Sequence, residues 1–334
     1  MTTGKLLATA GILLALVSLS FLPAAAQSYT VTDLGTLGGV TSAAGAINNV
    51  GQVVGYAENQ RKQNHAFLWS SDTGMVDLGL LHAGDIESFS AAINDSGTVV
   101  GISGSYAFLW TQDSGMQDLG NLGGGYADAS GINNLGQVVG FSGLPDGSRH
   151  AFLWTATSGM QDLGTLGGNT SGAIGINDAG QVVGFAYLPD NITQHAFIWT
   201  AQAGMQDLGT LGGSSSSANA INATGEVTGW TTYASNRQVA FLWDTTHAMR
   251  SLGTFGTTAT TNGIGLNESA EVVGLVVSHG YRGFLWTRSH GLQNLTDLIF
   301  PKLPYVKEAN AINSVGEIVG SGSNNHAILL TPIK

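Results

Sequence analysis

Short apolar runs separated by polar turns recur along this chain from residue 29 onward. The most regular is an Ile-Asn-x-x-Gly-x-Val-Val-Gly-like segment, opening at Ile47-Asn48, Ile93-Asn94, Ile132-Asn133, Ile176-Asn177, Ile221-Asn222, Leu266-Asn267 and Ile312-Asn313. Copies lie 39 to 46 residues apart. That period suits a four-strand propeller blade and is long for one coil of a solenoid. Residues 171–209 serve as the model unit. Strand A is predicted over 171–177 and strand B over 181–186, joined by the turn Asn177-Asp178-Ala179-Gly180. In such a turn Asn and Asp bond their own backbone and Gly accepts a positive φ. A polar loop leads to strand C, His195-Ala196-Phe197-Ile198-Trp199, and a second turn ending at Gly204 leads to strand D over 205–209. Phe197 and Trp199 alternate with Ala196 and Ile198, so both faces of strand C are apolar, as in a sheet stacked between two others.

The two ends complement each other. The last unit supplies strands A, B and C (309–313, 317–320 and 326–330) and then the chain stops, whereas residues 29–35 read as an isolated strand D. Six whole units and one composite unit predict an all-β fold. It is a seven-bladed β-propeller with four-stranded antiparallel blades, the ring closed by the N-terminal strand joining the C-terminal blade. Closure removes the exposed strand edges that an open repeat must cap. One domain over 28–334 is expected.

His-Ala-Phe opens strand C at residues 65–67, 150–152 and 195–197, and Asp-Leu-Gly-x-Leu-Gly-Gly follows as at 162–168. In these motifs the chain resembles the HAF family of bacterial extracellular repeat proteins, over essentially its whole length after residue 27. Two units depart from the pattern, with Val239-Ala240-Phe241 and Arg282-Gly283-Phe284. The resemblance implies export and repetition and carries no general activity.

Composition narrows the setting. Residues 1–27 read as a signal peptide: Lys5 supplies the positive n-region, 6–22 is uncharged and apolar, and Pro23-Ala24-Ala25-Ala26-Gln27 offers an A-x-A-like exit. A single membrane anchor is the competing reading of that run. The expected location is extracellular or periplasmic, without membrane insertion of the mature chain. There is no cysteine, so disulfides and thiol chemistry are excluded. A net charge of −11 disfavours nucleic acid as a partner. With 43% apolar residues and 49 glycines, the composition fits a turn-rich β fold rather than a disordered chain. No cofactor or metal is expected, and a monomer is.

Most repeated polar residues read as structural. His65, His150, His195 and His326 occupy equivalent outer positions in different blades, where they diverge and cannot share one metal. Each imidazole is expected to bond turn backbone of its own blade. Asp33, Asp77, Asp118, Asp162 and Asp207, replaced by Ser251 and Asn294 in two units, are expected to cap nearby backbone N–H groups. No EF-hand spacing, phosphate loop or Gly-x-Ser-x-Gly elbow occurs.

Departures from the repeat are more informative. Two D-to-A connections break it, over 80–88 and 297–308, and the B-to-C loops vary most. Both loop classes are expected on one face of the ring. His82, Asp85, Glu87, Tyr126, Asp128, Tyr233, Arg237 and Tyr305 are therefore the candidate binding residues, for a glycan or for a peptide or protein ligand. If the protein is instead a glycan-active hydrolase or lyase, Asp85, Glu87, Lys307 and Glu308 are the candidate catalytic residues. A third reading is a structural envelope or matrix protein.

Overall fold

The computed structural model describes residues 27–301 and 306–333. Seven four-stranded antiparallel sheets follow one another, and one parallel bridge between Gln194 and Ser215 links the fourth to the fifth. We number the blades I (38–77), II (88–118), III (127–162), IV (171–209), V (212–253), VI (260–294) and VII (306–332 with 29–33), with strands A to D running outward from the axis. Blade IV shows the predicted unit: strand A is Ser171–Ile176, B is Val182–Tyr187, C is Gln194–Thr200 and D is Gly204–Gly209.

Blade VII is composite, as the two ends predict. Its strands A to C are Val306–Ile312, Ile318–Gly322 and Ala327–Pro332, and its outer strand is Tyr29–Asp33. The closing pair runs antiparallel from Tyr29 opposite Pro332 to Asp33 opposite Ile328. Tyr29 is buried in the core between blades VI and VII. Its hydroxyl is held well above the usual phenol range, first by burial and then by the nearby Glu271 carboxylate.

The two apolar faces of each blade meet the faces of its neighbours. Between blades III and IV, Val139, Ala151 and Leu163 pack against Val182, Phe197, Trp199 and Met205. Between IV and V, Val183, Ala196 and Ile198 pack against Val227, Phe241 and Trp243. In the Val-Val pair one valine thus faces each neighbour; blade V has Thr228 at the second position, buried with its hydroxyl donating to the Phe241 carbonyl. The Phe of strand C is fully buried in blades I to VI. Such a side chain contributes on the order of 2–3 kcal/mol through burial.

The glycine after Val-Val answers a backbone constraint. Strand A carries a one-residue bulge in every blade, as between Ala173 and Gly175 in blade IV. A Cβ on Gly184 would lie 2.0 Å from the carbonyl oxygen of Gly172, and Gly55, Gly101 and Gly229 meet the same obstacle. Only hydrogen fits there.

Candidate functional site

The axis is held by asparagine. The Asn of each Ile-Asn turn uses its Oδ1 to accept backbone N–H groups of its own turn, as Asn177 does from Gln181 at 3.1 Å. Its Nδ2 then donates to the carbonyl oxygen of the corresponding Asn in the next blade. The series runs Asn48, Asn94, Asn133, Asn177, Asn222, Asn267, Asn313 and back to Asn48, at 3.0–3.3 Å. All seven are buried. Outside this ring lies a funnel of about 260 Å³ whose rim includes Asn49, Asp95, Asn134, Asp178 and Glu268. The rim side chains are themselves engaged: Asp95 accepts from the Asn49 amide, Asp178 from that of Asn134 and Glu268 from that of Ala223. The A-to-B turn face is therefore knitted together blade to blade.

The opposite face carries the variable loops, and its outer edge is patterned by His–Asp pairs. His65 Nδ1 lies 2.9 Å from a carboxylate oxygen of Asp77, His150 2.9 Å from Asp162, His195 2.8 Å from Asp207 and His326 2.9 Å from Asp33. This corrects the expectation that each imidazole bonds turn backbone. His65 and Asp77 are diagonal neighbours on one face of strands C and D, because Phe67 stands opposite Asp77. The aspartates do cap the turn, as expected: Asp77 Oδ1 accepts the Gly79 amide at 2.8 Å, and Asp162 accepts that of Gly164.

Where blades meet, serine and threonine hydroxyls staple them, a feature the sequence reading missed. Ser171 Oγ accepts the Ala151 amide of blade III and donates to the Gly164 carbonyl; Ser42, Ser88, Ser216 and Thr261 repeat the device.

The two irregular D-to-A connections each border a groove on the loop-rich face. The first, of about 630 Å³, lies between the B-to-C loop of blade I and the connection to blade II. Asn59, Gln60, Arg61, Gln63 and His65 line it on one side, with Leu80, Asp85 and Ile86 on the other. Asp85 is the brace of this connection. Its side chain is only 9% exposed, and its Oδ2 accepts from Ser103 Oγ at 2.7 Å and from the His82 amide at 3.1 Å. The His82 ring packs edge-on to Tyr106, with centroids 4.5 Å apart. Glu87 is half-buried, and its carbonyl receives the Gly104 amide. The second groove, of about 400 Å³, lies at the outer edge of blade VI around Arg282.

The remaining candidates are scattered around the ring. Tyr126 meets Phe141 edge-on. Asp128 lies in strand A of blade III, Ala127–Ile132, and not in a loop, because the strand begins directly after the Gly-rich turn. Burial pushes the Asp128 carboxyl up to about 6, partly offset by Arg149, whose guanidinium stacks over Phe141 at 4.5 Å and approaches Phe185 at 5.5 Å. Arg237 covers the Tyr233 ring at 5.5 Å and donates to the Thr257 carbonyl. Lys307 bonds Asn325, and Glu308 sits in strand A of blade VII opposite Ser321. Tyr305 lies outside the described residues. Among the described residues no helix is long and apolar enough to cross a membrane.

No family model matches this sequence, and no curated protein matches it. Solved structures match the fold. Virginiamycin B lyase from Staphylococcus aureus superposes with a TM-score of 0.58 at 11% identity, over 91% of this chain and 100% of that one. A puromycin-hydrolyzing peptidase of Mycobacterium tuberculosis gives 0.54 at 8% identity, over 88% of this chain and 52% of that one. TolB from Acinetobacter baumannii gives 0.50 at 11%, over 85% of this chain; this chain spans 64% of the length of that protein. At these identities the likeness is one of propeller fold.

Proposed function

We propose that this chain is an exported binding module that takes a glycan or peptide ligand in the groove between blades I and II. The observation carrying this reading is the coincidence of a broken repeat with a braced, polar-lined concavity. The connection over 80–88 departs from its counterparts, and Asp85 holds it against blade II instead of facing the groove as a free carboxylate. Opposite it, Gln60, Arg61 and Gln63 present amide and guanidinium donors, on a loop that the Asn59 side chain ties to itself and to His65. A rigid scaffold with fixed polar groups on its variable loops is how binding surfaces are built.

The enzyme reading keeps one observation in its favour. A carboxyl held near pKa 6, such as Asp128, is poised to exchange a proton near neutral pH. The binding reading is favoured because Asp85 is committed to hydrogen bonds within the fold, which leaves its pairing with Glu87 poorly suited to flank a scissile bond. The test is a glycan and peptide array probed with the protein and with a Gln60→Ala/Arg61→Ala variant. Binding that the variant loses supports the module. Turnover of an arrayed ligand that Asp128→Asn abolishes would replace it with the enzyme.

A further inference from the structure

Blade VI breaks the outer-edge pattern in a way that leaves a cation open. Four blades place a His–Asp pair there, blade V places Val239 with Ser251, and blade II places Tyr106 near Asp118. Blade VI alone carries Arg282 with Asn294. Asn294 has taken another task. Its Oδ1 accepts the Thr296 amide at 3.0 Å and caps the 3-10 turn Leu295–Leu298, whose Leu295 is buried between blades VI and VII. The Gly turn that follows strand D elsewhere is thus replaced by a capped helical turn, and the groove opens beside it. Arg282 is exposed there and makes no ion pair among the described residues.

We propose that this groove is a second binding site, selective for a carboxylate-bearing saccharide such as an oligomer of uronic acid. It is separate from the groove between blades I and II and stands or falls independently of it. Three features point to that ligand class. First, the chain carries only 11 Lys and Arg against 22 acids. A guanidinium that makes no ion pair among the described residues, set in a concavity with His279 beside it and a single acid, Asp297, in the lining, is therefore a rare open cation on this chain, and its planar fork matches a carboxylate in bidentate fashion. Second, exposed aromatic surface gathers here. Tyr281 is 57% exposed in the groove, and Phe255 is 38% exposed in a recess that shares Arg282 and Asn294 with it. Such rings offer flat apolar faces to the C–H side of a sugar ring. Third, Thr296 and Asp297 on the far wall supply a hydroxyl and an acceptor for sugar hydroxyls. A bare phosphate fits less well, because it calls for several converging donors rather than one fork among aromatic faces.

The experiment is calorimetric titration of the purified protein with trigalacturonate, its methyl ester and a tripeptide with a free C-terminal carboxylate. Variants Arg282→Ala, Arg282→Lys and, as a control on the opposite face, Leu135→Ala are compared, each with its fold verified by circular dichroism. We expect trigalacturonate to bind and its ester to bind at least tenfold more weakly. Arg282→Ala should lose at least tenfold, Arg282→Lys should retain part of the affinity, and Leu135→Ala should match the parent. Equal affinity for acid and ester, an unchanged folded Arg282→Ala, or absence of binding at millimolar ligand overturns the assignment. So does binding of the tripeptide alone, which would make the site a peptide-terminus site.

Discussion

The side-chain amide of Asn313 donates to the backbone carbonyl of Asn48, 265 residues earlier, at 3.2 Å, and Asn48 hands the same bond on to Asn94. Seven such bonds circle the axis in one direction and return to their start. Each Asn also ties its own turn, so one side chain fixes both the local hairpin and the seat of the next blade. Bonds linked head to tail polarise one another, and a buried break in the series leaves donors and acceptors without partners.

Replacing one member should therefore be expensive. Asn177→Ala removes the acceptor for the Gln181 amide and the donors to the Gln181 side chain and the Asn222 carbonyl. We expect a loss of about 2–3 kcal/mol, read from urea denaturation. Asn49→Ala, on the exposed rim, should lose less than about 1 kcal/mol. Equal losses in the two variants would show that the buried ring has no special part in stability.

Gly184→Ala tests the bulge. The added methyl would meet the Gly172 carbonyl at 2.0 Å, so strand A must shift against strand B. We expect about 2–4 kcal/mol of destabilisation, whereas Ala at the open position of Gly147 is limited to the strain of its positive φ. Denaturation midpoints of the two variants decide the matter.

The strands were legible because their chemistry is local. Two apolar faces on strand C, and an Asn-x-x-Gly turn between A and B, are visible within ten residues. What was not legible depends on partners in another strand or blade. The sequence reading assigned Asn177 to its own turn correctly but could not place its amide against Asn222, 45 residues on. The His195–Asp207 pair needs the register of strands C and D, which no local pattern states. Asp128 read as a loop residue because the run of glycines before it hides the start of strand A. The broken connections at 80–88 and 297–308 stood out as departures, yet only the folded ring shows that a groove opens beside each, and that Asp85 braces one of them.

Asp128 gives the protein a pH dependence with a definite sign. Its carboxyl titrates at about 6 in the fold against about 3.9 in an unfolded chain. The native state binds the extra proton between these values, so this contribution to stability is present at low pH and is lost as pH rises through 6. Asp128→Asn should be more stable than the parent at pH 7.5 by roughly 1–3 kcal/mol, with the advantage vanishing below pH 4. Thermal melts across pH 4–8 measure it, and a constant difference would exclude Asp128 as the source.

The closing strand should be separable from the rest. Deleting residues 27–35 strips blade VII of its outer strand and withdraws Tyr29 and Leu34 from two interblade cores. Each such side chain contributes about 2 kcal/mol by burial, so the melting temperature should fall by about 10 °C or more. A synthetic peptide of residues 27–35 added in trans should recover part of the loss. A melt unaffected by the deletion would mean that closure by this strand contributes nothing.

The antiparallel register of that closing pair has a mechanical consequence. Tyr29 lies beside Pro332, so the chain enters and leaves the ring at the same end of the same two strands. Tension applied between the termini therefore loads the rungs one after another from that end, as in a zipper, instead of sharing the load across all of them. A ring closed through seven blades would yield to a small pull at its ends, and blade VII would peel first.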